Sequence, residues 1–290
     1  MRQNRMRGFA LMAASSMLIS LMSILARLTR GMEGLSAFST SFFRFAIGGA
    51  AVAAWLFLSG RSLSPRRPLL LLIRGLLGSS AMVVYFHAIV TIGLAKASIL
   101  IYTAPIWAAA FAPFATRESP SIRLWVCVLS AFGGLYLLLF PSGGFGGVST
   151  IDAAALGAGV LGGLAILVVK RLSAVESAPM IFLGLAAVGA LTTSVPALSE
   201  GAAYSTPAWG LLIGIGICGA AAKILDAAAF RHISGTEGAL WSMLAPAANC
   251  AAGALAFQET FTARMTFGSA VVLAACGAAA VFGRAKQDAQ

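Results

Sequence analysis

The chain runs as long apolar stretches broken by short polar or basic connections, and the stretches are the length of membrane crossings. Roughly 20 apolar residues carry a helix across a bilayer. Ten stretches fit: residues 9–26, 36–58, 69–90, 94–115, 123–140, 152–171, 178–198, 207–229, 235–257 and 264–283. Several are punctuated by Pro or Gly, and what remains suffices only for short connections and two tails. The first stretch follows Arg2, Arg5 and Arg7, as a signal peptide would. Its apolar run of about 18 residues exceeds the usual h-region, and no small-residue cleavage site precedes Arg27 to Arg30, so it reads as a span.

Composition agrees with this pattern. Of 290 residues, 59% are hydrophobic and 10% charged, and the mean hydropathy is +0.91. A soluble domain carries about 25% charged residues, so this chain cannot coat a water-facing surface. A secreted enzyme, a cytosolic domain on a single anchor and a disordered protein are excluded. The net charge of +11 and pI near 10.4 would elsewhere point to nucleic acid. Here the basic residues lie between apolar runs, where the positive-inside rule puts them. With the N-terminus inside, the cytoplasmic side collects 14 Lys and Arg, Arg74 counted among them, and the outside 4; Arg44 and Lys223 remain within spans. Both termini are therefore expected in the cytoplasm, with the chain a multi-pass protein of the cell (inner) membrane. Cys127, Cys218, Cys250 and Cys276 all fall in apolar segments, so no disulfide or metal site is expected.

A shift of 141 residues superposes Gly75 on Gly216, Gly78 on Gly219, Ala81 on Ala222, Ile92 on Ile233, Pro105 on Pro246 and Glu118 on Glu259. The Pro and Glu pairs keep the same spacing at the same place in the fourth and ninth spans. The expected architecture is all-α: ten transmembrane helices as two five-helix repeats, residues 1–143 and 144–290. Five is odd, so the second repeat enters the membrane inverted. Such duplication gives two conformations open to opposite sides around a central cavity.

The stretch "GLAKASILIYTAPIWAAAFAPFATRESPS" and its partner "GTEGALWSMLAPAANCAAGALAFQETFTA" resemble the repeated motif of the drug/metabolite transporter superfamily, EamA type. "FFRFAIGGA" around Arg44 is similar to that family's second-helix Arg. The resemblance implies ten helices in a basket around a cavity built mainly from the first, third, fourth, sixth, eighth and ninth. Its nearest branch implies export of aromatic and neutral amino acids. Leu185 stands where the shift would place an Arg, so the two halves differ there.

Polar groups in hydrocarbon need a partner or a function. Pro105 and Pro246 lack a backbone donor and displace the carbonyls of Ile101 and Ser242; they read either as hinges or as fixed bends. Tyr85, His87 and Tyr102 are polar-tipped aromatics that can orient an amphiphilic solute or serve as interfacial anchors. Tyr102, roughly 10 Å inside its helix at 1.5 Å per residue, is the better cavity candidate. Trp241 and Ser242 form the corresponding face of the ninth span. Lys223 and Asp226, three apart on one face, either neutralise each other or, with Glu237, present charge to a zwitterion. Arg44 reads as an interhelical brace, and Glu118 and Glu259 as structural charges. Gly159 and Gly163, and Gly210 and Gly214, have the GxxxG spacing of close helix packing. The "PSGGFGGVST" stretch at 141–150 reads as a linker between the halves.

No Walker A sequence is present, and His87 and His232 are the only histidines, outside any HExxH pattern. No catalytic residue, metal or cofactor is expected. The reading is a secondary transporter exporting small amphiphilic metabolites, neutral or aromatic amino acids foremost, by facilitated or weakly proton-coupled alternating access. The alternatives are a carrier of a nucleoside, vitamin or cationic compound, or a non-transporting scaffold. The partners expected are a small-molecule substrate and the bilayer, with no nucleic acid and no required oligomer.

Overall fold

In a computed structural model the structure describes residues 2–29, 35–61, 64–92, 97, 100–139, 149–199, 204–248 and 262–282. These are helical, with no strand among them. The elements are α1 (Arg2–Leu28), α2 (Ala37–Leu58), α3 (Pro68–Ile92), α4 (Ala104–Ala115), α5 (Ile122–Leu139), α6 (Thr150–Ser173), α7 (Ala178–Ser199), α8 (Thr206–Ala229), α9 (Gly235–Trp241) and α10 (Ala263–Phe282). Seven of them, α1 to α3, α6 to α8 and α10, are long and apolar enough to cross a membrane; α4 and α5 are shorter apolar helices. Large side chains such as Phe57, Phe114 and Val195 point outward, each at least 75% exposed, as a lipid-facing surface requires. Glu259, Cys250 and most of the 141–150 stretch lie outside the described residues.

Local chemistry sets the helix starts. Ser36 caps α2, its hydroxyl accepting the Phe38 and Ser39 amides at 3.0 and 3.1 Å. Ser149 with Asp152 and Ser234 with Glu237 form reciprocal capping boxes on α6 and α9, satisfying amides that the first turn leaves unpaired. Helix α1 begins at Arg2 rather than near residue 9, so the basic leader is its first two turns.

The packing pairs one half of the chain with the other. The most extensive contacts join α5 to α10, α1 to α8, α3 to α6 and α2 to α7, followed by α2 to α8, α3 to α7 and α4 to α6. Exchange α1 with α6, α2 with α7 and so on, and this set of contacts maps onto itself, with α4–α6 becoming the smaller α1–α9 contact. The correspondence reaches single residues. A Cβ on Gly216 would meet Ile47 Cγ2 at 3.0 Å, and one on Gly75, 141 residues earlier, would collide with Val188, which is 141 residues after Ile47.

Of the two GxxxG pairs, the one in α6 carries a close approach. A Cβ on Gly163 would lie 2.8 Å from the Ala104 carbonyl and from Trp107 Cβ, and one on Gly159 would lie 2.8 Å from the Leu100 carbonyl. Gly210 has nothing within 4 Å, and Gly214 meets only Leu25 at 3.0 Å. Spacing alone cannot tell which helix face meets backbone. Gly163→Val is therefore expected to destabilise the fold by the ~1–3 kcal/mol of an overpacked site, lowering the denaturation midpoint in detergent by several degrees. Gly210→Val should leave that midpoint unchanged, and equal effects would refute the assignment of the interface.

Candidate functional site

The two proline-bearing spans are interrupted rather than merely bent. Residues 102–103 and 242–243 form turns, and helical backbone resumes at Ala104 and Leu244. Pro105 thus falls in the first turn of α4, where its missing N–H costs no helix bond. The Ile101 carbonyl faces the backbone of Gly159, 3.4 Å from where a Cβ would stand. The Ser242 carbonyl is not released as the sequence suggests: it accepts the Ala245 amide at 3.2 Å in a tightened turn. Thr103 completes the first break, accepting the Trp107 indole N–H at 3.2 Å and donating to the Leu100 carbonyl at 2.7 Å.

Beside these breaks the interior is charged. Lys223 Nζ and Asp226 Oδ2 pair at 2.7 Å on one face of α8. Asp226 is within electrostatic range of Arg44, Arg74 and Tyr102, and Tyr85 is within range of Tyr102. Residues of α2, α3, α8 and the stretch before α4 therefore converge.

Arg44 is 7% exposed and lies among α1, α3 and α8. Its Nη1 is 4.0 Å from Met82 Sδ, its guanidinium carbon lies 5.3 Å from the Phe45 ring centroid, and its Nε fills the space over Gly219. Arg74, counted with a loop in the sequence, lies six residues inside α3. Its guanidinium folds along the helix over Gly78, and its Nε is buried without a hydrogen bond among the described residues. The depth of Arg74 in its apolar run was the available signal; assigning it to the adjacent Arg66–Arg67 connection hid it.

Other candidates lie apart from this cluster. His87 is exposed and stands two residues, about 200°, around α3 from Tyr85, so it faces away. Trp241 stacks on Phe9 with centroids 4.8 Å apart, between the core packed around α5 and α10 and the one around Phe9 and Phe230. Its indole nitrogen is buried with no hydrogen-bond partner among the described residues. The Ser242 hydroxyl turns back onto the Ala239 carbonyl at 2.6 Å.

At the end of the bundle that carries the N-terminus, a polar network ties helix ends and their connections together. Arg5 on α1 pairs with Glu237 on α9, and Glu237 Oε2 also accepts the Ser234 amide at 3.0 Å. Glu118, just after α4, accepts the Gly235 amide at 2.9 Å and lies 3.7 Å from Lys170 on α6. Lys170 donates to the Phe230 and Ile233 carbonyls at 2.8 and 2.7 Å. Arg231 donates to the Ser173 and Glu176 carbonyls at 3.0 and 2.7 Å, and the Glu176 carboxylate accepts the Arg67 amide at 2.6 Å. A cleft of about 330 Å³ opens between Arg5, Glu118, Lys170 and Glu237.

Comparison with known proteins points the same way. The EamA-like transporter family matches residues 6–140. The pseudopaline exporter CntI of Pseudomonas aeruginosa, in strains UCBPP-PA14 and PAO1, is 28% identical over 274 residues, covering 93% of this chain and 94% of the relative. A solved crystal structure matches with a TM-score of 0.79 at 20% identity, over 97% of this chain and 99% of its own; that likeness shows the fold alone. The chain is a multi-pass helical membrane protein similar to a small-molecule exporter.

The network makes the Arg5–Glu237 pair a tie between α1 and α9. Glu237→Gln, which keeps the capping geometry but removes the charge, is expected to raise the labelling rate of a cysteine at position 102 several-fold, in a background free of other cysteines, from the N-terminal side. Unchanged labelling by a membrane-impermeant maleimide would show that the pair does not restrain access.

Proposed function

We propose that this chain, whose first half belongs to the EamA-like transporter family, is a secondary exporter of small amphiphilic metabolites built on an amino-acid frame. Residues 1–143 and 144–290 act as inverted halves in a cell membrane with both termini in the cytoplasm. The exchange of matched contacts between the halves carries this reading: Ile47 on Gly216 corresponds to Val188 on Gly75. Such near-equivalence gives two conformations of similar energy, open to opposite sides. The network around Arg5, Glu118 and Lys170 then closes the cytoplasmic end.

Tyr85 and Tyr102 supply aromatic faces with polar tips. The interruptions ahead of Pro105 and Pro246 let α4 and α9 pivot without further loss of backbone bonds, because those bonds are already redirected. Trp241, wedged on Phe9, couples α1 to the second pivot. Neutral and aromatic amino acids satisfy this description. A larger solute is the second reading, supported by the 28% identity to the pseudopaline exporter, and pseudopaline belongs in the same substrate panel.

Counterflow in proteoliposomes with labelled amino acids and pseudopaline tests the reading. At least one solute is expected to exchange above protein-free vesicles without an imposed proton gradient. Tyr102→Ala is expected to lower that exchange by about tenfold, the loss of ~1.4 kcal/mol of binding, with expression unchanged. No flux for any solute would remove the transport assignment, and flux only under a proton gradient would replace facilitation by coupling.

A further inference from the structure

We propose that the membrane interior holds a two-guanidinium seat, Arg44 with Arg74, which selects solutes carrying a second carboxylate over simple zwitterionic amino acids. The proposal deepens the exporter reading above and rests on it for the location of the substrate.

Arg44, Arg74 and Lys223 lie well inside α2, α3 and α8, in the electrostatic neighbourhood of the Asp226 carboxylate. Lys223 holds that carboxylate at 2.7 Å, so the two guanidiniums have no carboxylate of their own among the described residues. Neither donates to an oxygen there: Arg44 reaches only Met82 sulfur, at 4.0 Å, and the Arg74 Nε is buried and unpaired. Buried charges left unpaired are costly, and such residues inside a membrane mark solute pathways.

The seat is also built to shape. Gly78 and Gly219 are equivalent under the 141-residue shift, and each leaves room for a guanidinium. A Cβ on Gly219 would lie 2.9 Å from Arg44 Nε, and one on Gly78 would collide with Arg74 Nη1. A guanidinium presents donors in a planar fork that fits a carboxylate bidentately. Two forks take two carboxylates, and the tyrosines Tyr85 and Tyr102, which share this electrostatic neighbourhood, face the apolar body. A neutral amino acid would leave one fork unanswered. A cationic solute would add to the surplus.

The test uses a matched pair of probes, L-phenylalanine and N-(carboxymethyl)-L-phenylalanine, which differ by one carboxylate. Binding to the full-length detergent-purified protein is measured by calorimetry, and transport by counterflow. The wild type is expected to bind the dicarboxylate at least about tenfold more tightly. Arg74→Gln should abolish that preference, the two probes then binding within about twofold of each other. Arg74→Lys should retain part of it, and Gly78→Ala, which displaces the guanidinium without removing it, should weaken it. Equal binding of the two probes by the wild type would overturn the proposal, as would a folded Arg74→Gln that keeps the preference. Selective binding without flux of either probe would leave the seat standing and remove the exporter reading; flux of phenylalanine alone would do the reverse.

Discussion

Hydrocarbon offers no hydrogen bonds, and each backbone amide or carbonyl left unanswered in it costs several kcal/mol, by about the same scale as a buried polar group. Continuous helices meet this constraint automatically. Two spans here do not, because Pro105 and Pro246 withdraw a donor apiece. The chain answers them differently: a tightened turn takes the Ser242 carbonyl, while the Thr103 amide and hydroxyl both donate to the Leu100 carbonyl, which packs against Gly159. The close approach of α4 to α6 depends on Gly159 and Gly163, since only a glycine lets a neighbouring backbone come so near.

The same constraint governs the charges. At the end carrying the N-terminus, Arg5, Glu118, Lys170, Glu176, Arg231 and Glu237 all find carbonyls, amides or an opposite charge. Arg231 and Lys170 spend their donors on the last carbonyls of neighbouring segments, where helix dipoles favour cations. Deeper in, that supply ends. Lys223 and Asp226 satisfy each other, while Arg44 is left beside a thioether and an aromatic ring. The contrast between a bonded end and an unbonded interior is what the proposed exporter reading turns on.

Much of this was legible in the chain. Apolar run lengths marked the seven helices long enough to cross and the shorter α4 and α5, the paired prolines marked where two helices break, and the 141-residue shift anticipated the exchange of contacts between α2–α8 and α3–α7. Lys223 and Asp226 were paired by spacing. What could not be read was rotation. These helices are apolar on nearly all sides, so periodicity does not say which face turns inward. His87 and Gly210 consequently read as equals of Tyr85 and Gly163, and only packing distinguished them. Arg74 was misplaced for another reason: basic residues near span ends are ordinarily loop residues, and its neighbours Arg66 and Arg67 are. Arg5 and Glu237, 232 residues apart, carry no local signal at all.

The correspondence between the halves breaks at the interior charges: under the 141-residue shift Arg74 meets Ile215, Lys223 meets Met82 and Asp226 meets Tyr85. Arg44 rests on Gly219 in one half, while its counterpart Leu185 lies 2.9 Å from the place a Cβ would occupy on Gly78 in the other. Two identical halves would make the inward and outward shapes mirror one another in energy, with neither favoured at rest. On the proposed exporter reading, a guanidinium in one half against an isobutyl group in the other would lift that degeneracy and give the empty molecule a home side. Directionality, on that reading, would come from the sum of these unlike charged positions rather than from any separate motor.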